Sequence, residues 1–246
     1  MSNWRKYKNV WCSWPSNPRG IIEYIGGSYL AVSPHICYKC LLESLVSKNF
    51  AVHAWNFIPT FDHQSQANEA WRDLRFCKSK LEQRVNSNLK SIRIGHSLGC
   101  KLHLLSPDKG RNSCSMIAIS FNNFKASNSI PLLNKFASKL NFETEFSPSP
   151  QETLRYILNH YQQSKNLIIN FSNDKIDQSR YLLDCLKKRD IDSSLQITLT
   201  GDHLTPVSSG LRKNLLGEWS KNINKLKNIE TLTEKIFDYS EKTLGS

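Results

Sequence analysis

Short apolar runs alternate with longer stretches of 3.6-residue period from one end of the chain to the other. The runs Asn9–Trp14, Gly20–Ile25, Phe50–Trp55, Ser91–Ile94, Ser115–Ile119, Asn166–Phe171 and Ser194–Leu199 have the length of strands. Between them, Ile36–Ser47, Ser65–Asn86, Leu98–Leu105, Gln151–Gln163, Ser179–Lys188 and Gly210 to about Asp238 carry the apolar spacing of helices. Strands that are apolar at successive positions, rather than at alternate ones, belong to a sheet covered by helices on both sides. The pattern therefore predicts an α/β fold with a mostly parallel, doubly wound sheet. A single domain spanning residues 1–246 accommodates it.

One segment breaks the rhythm. From Phe121 to Pro150 the chain is rich in Ser, Asn and Pro and holds one helical piece near Leu132–Leu140. It lies between two strands at what should be the carboxyl edge of the sheet, where ligands bind in open α/β folds. We read 121–165 as a small cap or lid insertion, favoured over a plain surface connection by Phe124, Ile130, Leu132, Leu133, Phe136, Phe142 and Phe146.

Composition narrows the class. No stretch approaches the ~18 consecutive apolar residues of a membrane span, and no apolar leader is evident, so a cytoplasmic setting is expected. Lys and Arg number 33 against 21 Asp and Glu, a net charge of +12. The basic residues are dispersed, with no aromatic-interleaved basic motif, so no specific nucleic-acid partner is expected. Their bland reading is a solvated surface; the functional one is an anionic membrane surface or anionic metabolite as partner. The seven cysteines are scattered. Cys37-Tyr-Lys-Cys40 has metal-knuckle spacing, but no second pair follows and the motif sits in a helical apolar pattern. Helix packing is preferred, and neither metal nor cofactor is expected.

The most informative run is Ser91-Ile-Arg-Ile-Gly95-His96-Ser97-Leu98-Gly99-Cys100. A strand that ends in Gly-x-Ser-x-Gly and passes directly into a helix is the setting of a nucleophile elbow. The tight turn puts Ser97 at its apex and at a helix N-terminus, where free N–H groups favour a developing oxyanion. Such a serine needs a base and an acid to orient it, in chain order Ser, Asp or Glu, His. Asp174 follows the strand Asn166–Phe171, with Asp177 in reserve, and His203 follows Ser194–Leu199. One oxyanion donor is expected from the Leu98 amide, the other from Gly27 or Ser28 in the loop after Gly20–Ile25. His96 is read as flanking the elbow without a chemical role. Asp62 and His63 either shape the pocket or form the cap of the following helix. Trp55 and Phe57 are placed near enough to the cleft to line it.

With these residues in view, the chain resembles the α/β-hydrolase superfamily through Gly95–Gly99, Asp174 and His203. More narrowly it resembles a family from photosynthetic lineages catalogued as domain of unknown function 1350. The segments that carry this are Tyr24-Ile-Gly-Gly27, Thr60-Phe-Asp-His63, Gly95–Cys100, Ser120-Phe-Asn-Asn123, Glu145-Phe-Ser-Pro-Ser-Pro150, Asp174–Gln178 and His203-Leu-Thr-Pro206. The resemblance implies the fold and a hydrolase ancestry but no substrate. In one departure, Ile25-Gly26 stands where many esterases carry His-Gly. The expected function is a serine hydrolase acting on a small-molecule or lipid acyl ester or thioester. The alternative is a non-catalytic α/β-hydrolase scaffold serving as a binding or membrane-surface protein.

Overall fold

The computed structural model describes residues 3–126, 145–208 and 223–245. The helical piece predicted near Leu132–Leu140, most of the predicted cap and the first part of the helix predicted from Gly210 lie outside the described residues.

Eight strands form one sheet: β1 (Arg5–Tyr7), β2 (Val10–Ser13), β3 (Ile21–Ile25), β4 (Ala51–Trp55), β5 (Ser91–His96), β6 (Ser115–Ile119), β7 (Asn166–Phe171) and β8 (Leu195–Leu199). Their order is β1-β2-β4-β3-β5-β6-β7-β8. The first two pairings, β1 with β2 and β2 with β4, are antiparallel; every other neighbour is parallel. The helices are α1 (Pro34–Cys37), α2 (Lys39–Ser47), α3 (His63–Val85), α4 (Leu98–Leu104), α5 (Pro150–His160), α6 (Ser179–Leu186) and α7 (Ile223–Leu244), with a 3-10 turn over Ser28–Val32.

The period of two along each strand divides the core between the two faces. Ile22, Tyr24, Ile92, Ile94, Ile117 and Ile119 pack beneath Leu41, Leu42 and Leu45 of α2 and Leu232 and Ile236 of α7. On the opposite face, Ile25 and Trp55 meet Ala67, Ala70 and Leu74 of α3, and Met116, Ala118 and Ile168 meet α4, α5 and α6. Coverage on both faces is what parallel strands require, and it makes the sheet doubly wound. Helix α5, inside the 121–165 stretch, packs into this body through Ile157 rather than over the cavity. None of the helices among the described residues is long and apolar enough to cross a membrane.

Three departures from the predicted elements have local causes. The helix expected over Ile36–Ser47 is broken at Tyr38, whose backbone (φ −112°, ψ 24°) separates α1 from α2. Strand β1 is short, polar and at the sheet edge, so it carries no apolar signal. Strand β8, at the other edge, is largely exposed, with Leu195 at 57%. Two-sided burial therefore holds for the central strands only.

Candidate active site

Strand β5 runs into α4 through a turn of one residue. Ser97 sits there at φ 55°, ψ −121°, a conformation outside the regions that L-residues favour. The flanking glycines are steric necessities. A Cβ on Gly95 would lie 2.5 Å from the Cys100 backbone, and one on Gly99 only 2.0 Å from the Ile25 carbonyl oxygen. The Ser97 amide is tied to the Ile119 carbonyl at 3.0 Å, which fixes the turn against β6.

The turns after β7 and β8 bring two side chains to this apex. The Ser97 hydroxyl lies 3.1 Å from His203 Nε2, and His203 Nδ1 lies 2.8 Å from Asp174 Oδ2. A carboxylate only accepts, so Nδ1 carries the proton and Nε2 is left to accept from the hydroxyl. The Asp174 side chain is fully buried and its other oxygen accepts from the Ile176 amide. Asp177 is used elsewhere: it accepts from both the amide and hydroxyl of Ser179 at the start of α6. The His203 turn is itself braced, with the Asp202 amide donating to Thr205 Oγ1 and the Leu204 amide to Asp202 Oδ1.

A second set of hydrogen bonds underlies the first. His96 Nε2 is 2.9 Å from the His203 carbonyl, and Nδ1 is 2.9 Å from the Tyr38 hydroxyl. Since the carbonyl can only accept, Nε2 donates and Nδ1 accepts from Tyr38. The Tyr38 oxygen in turn accepts the Gly27 amide at 2.8 Å. Burial foremost, with His203 beside it, lowers the His96 pKa to about 3, so this ring stays neutral. His96 thus links the loop after β3 to the loop bearing His203, beyond the flanking position read from sequence. Tyr38 was not singled out by sequence; its only signal is its position inside Cys37-Tyr-Lys-Cys40, whose cysteines are free thiols.

These contacts sort the expected oxyanion donors. The Gly27 amide is committed to Tyr38. The Ser28 and Leu98 amides open the 3-10 turn and α4, where no intrahelical acceptor exists for them. Both residues border a cavity of about 520 Å³ that reaches Ser97 and His203. Its apolar walls include Leu30, Phe61, Phe124, Phe146 and Ile176, in the size range of small-ligand sites.

Of the expected pocket residues, only His63 lines this cavity. Asp62 is the N-cap of α3, accepting from the Ser65 amide at 2.8 Å. Trp55, expected near the cleft, does not line it. It is fully buried, stacks on Phe57 at 4.7 Å and donates to Asp73, because position 55 faces α3 rather than the edge of the sheet. Phe57 goes with it into that core. Lys101, four residues after Ser97, also lines the cavity; in the sequence it stands out only as part of the total charge.

The sheet order, the elbow at Ser97 and the helices on both faces define the α/β-hydrolase fold. Within that class the chain belongs to the DUF1350 family, described as proteins of unknown function, whose model matches residues 3–233. No curated protein matches it. Similar solved structures include carboxyl esterase 2 from the mycorrhizal fungus Tuber melanosporum, 15% identical over 92% of this chain and 80% of that one, with a TM-score of 0.62. The Pyrococcus furiosus esterase Pf2001 is 11% identical over 98% and 93% of the two chains, TM-score 0.62. A dienelactone hydrolase from Anabaena variabilis is 13% identical over 97% of each, TM-score 0.57. At these identities the likeness establishes the fold.

Proposed function

We propose that this protein is a serine hydrolase that cleaves an acyl ester or thioester through an acyl-enzyme. The observation that carries the reading is the relay Ser97 Oγ to His203 Nε2 to Asp174, at 3.1 and 2.8 Å, on a strained elbow. In the first step Ser97 Oγ attacks the carbonyl carbon while its proton passes to His203 Nε2. Asp174 holds the imidazole in the productive tautomer and stabilises the imidazolium. Charge on the carbonyl oxygen is met by the Ser28 and Leu98 amides. Collapse breaks the bond to the leaving group, which takes the proton from His203. Water then repeats the sequence against the acyl-Ser97 ester and releases the acid.

The test is labelling with a fluorophosphonate probe, which reacts with an activated serine. Wild-type protein is expected to label, and Ser97→Ala and His203→Ala, shown folded by their melting transitions, are expected to lose at least ~95% of the signal, in line with the ~10³-fold or larger losses typical of such groups. Undiminished labelling in Ser97→Ala overturns the assignment.

A further inference from the structure

Two of the segments that carry the family resemblance take no part in the chemistry above, Thr60–His63 and Glu145–Pro150. They meet in space. The Ser147 amide donates to the Phe61 carbonyl at 2.8 Å and the Gln64 amide to the Ser147 carbonyl at 3.1 Å. What this junction holds is a pair of nitrogen-bearing side chains at the wall of the cavity.

The first is Lys101, only 1% exposed. Its Nζ donates to the Pro148 carbonyl at 2.9 Å and lies 5.8 Å from the Phe146 ring centroid. Among the described residues no carboxylate comes within salt-bridge distance of it. Glu145 and Glu152 act on it from further off, and both are occupied. Glu145 accepts the Ala126 and Phe146 amides, and Glu152 accepts the Ser149 amide. Burial lowers the Lys101 pKa to about 8, so at neutral pH it remains chiefly a cation. A buried ammonium whose one hydrogen-bond partner among the described residues is a carbonyl has two N–H groups and most of its charge unanswered by them, a costly state.

The second is His63. Its ring stacks on Phe146 at 4.3 Å and is 2% exposed, yet among the described residues neither ring nitrogen has a hydrogen-bond partner. Buried polar atoms are nearly always satisfied, so a histidine on a cavity wall with neither nitrogen partnered among the described residues is suited to receive a ligand group. One nitrogen of the neutral ring donates. Asn123 Oδ1, also unpartnered on this cavity, can only accept and so adds nothing to an anion's reception.

We infer that Lys101 and His63 form a subsite for a carboxylate carried on the acyl chain of the substrate. This rests on the hydrolase reading above and narrows it to esters of acids with a second, distal carboxyl group. One cation and one imidazole N–H match a monoanionic carboxylate; a phosphate dianion calls for more donors. Lys101 is one helical turn beyond Ser97, ~5–6 Å along α4, so the two groups of the substrate are separated by a short spacer. In this arrangement the leaving group lies toward His203, which must protonate it, and the acyl chain runs along α4 toward Lys101.

Two measurements test this with stated probes. The first compares kcat/KM for mono-p-nitrophenyl glutarate and p-nitrophenyl butyrate, which share a leaving group and differ in the distal carboxylate. Wild type is expected to favour the glutarate ester at least tenfold, and Lys101→Met to lose at least tenfold of that ratio. His63→Phe keeps the stack on Phe146 and is expected to lower the ratio about threefold with an unchanged or higher melting temperature. The second is calorimetric binding of glutarate to the Ser97→Ala protein, expected to weaken at least tenfold when Lys101→Met is added. Hydrolysis of both esters with a wild-type ratio near one overturns the subsite and leaves the hydrolase intact. Lys101-dependent glutarate binding without turnover of either ester, and without fluorophosphonate labelling, retains the subsite and overturns the hydrolase. If Lys101→Met proves unfolded, a ratio and glutarate affinity unaltered in His63→Phe overturn the inference.

Discussion

A single phenol oxygen connects the loop that carries Ser28 to the loop that carries His203. Tyr38 accepts the Gly27 amide and donates to His96, which donates to the His203 carbonyl. Tyr38→Phe removes that oxygen and leaves a buried N–H and a buried ring nitrogen unpaired, at a cost of ~1–3 kcal/mol in stability. On the proposed mechanism, in which the Ser28 amide meets the oxyanion, kcat falls ~10- to 100-fold while KM changes little, since the loss is felt in the transition state. Steady-state kinetics on a p-nitrophenyl ester together with a melting curve read both effects; a rise in KM at constant kcat would refute the positioning role. At this scale the sequence was legible where the candidate site depends on local order along the chain. Ser97, Asp174 and His203 each lie in the turn after a strand, and a strand end is predictable. Tyr38 was not legible, because its role depends on the break between α1 and α2 that turns it under the sheet. Trp55 was misplaced because nearness to a strand end does not say which face a side chain takes.

At the scale of elements, the fit of α4 against β3 decides whether the elbow exists. A methyl group on Gly99 would meet the Ile25 carbonyl oxygen at 2.0 Å, backbone against backbone, with no flexible side chain to yield. Gly99→Ala is therefore expected to destabilise by ~3 kcal/mol or more, a drop of roughly 6–12 °C in melting temperature for a chain of this size. Gly20→Ala is the matched control. Its new Cβ would lie 3.1 Å from the terminal methyl of Leu244, which can move, and 3.3 Å from the Lys90 carbonyl oxygen, so the loss should be markedly smaller. Equal melting temperatures for the two variants would refute the argument. The central strands were legible because parallel strands buried on both faces must be continuously apolar. The edges were not: β1 is polar and β8 is uncovered on much of its surface, and neither obeys that rule.

Over the whole molecule, the four histidines His53, His63, His96 and His103 share one property. Each is buried, and burial lowers each pKa to about 3, assisted respectively by Lys78, Lys101, His203 and Arg93. In the unfolded chain these groups titrate near 6.5. Above that pH neither state binds the proton and their stabilising contribution is fully present. As pH falls from about 6.5 toward 3 the unfolded chain takes up protons that the folded protein refuses, so each histidine removes ~1.4 kcal/mol per pH unit. Four acting together would exhaust the stability of an ordinary domain, typically 5–15 kcal/mol, within a few pH units. Denaturant unfolding is thus expected to show a loss of under ~1 kcal/mol from pH 8 to 7 and a steep loss below pH 6. The net charge of +12 also grows with acid and promotes unfolding by self-repulsion, but salt screens repulsion between exposed charges. The proton uptake of buried imidazoles is far less sensitive to it. Repeating the titration at high ionic strength separates the two: the acid limb should persist, and His63→Phe should make it shallower by about one histidine's share. Stability that stays flat down to pH 5, or an acid limb abolished by salt, would show that burial of these rings is not what sets the lower pH limit of the fold.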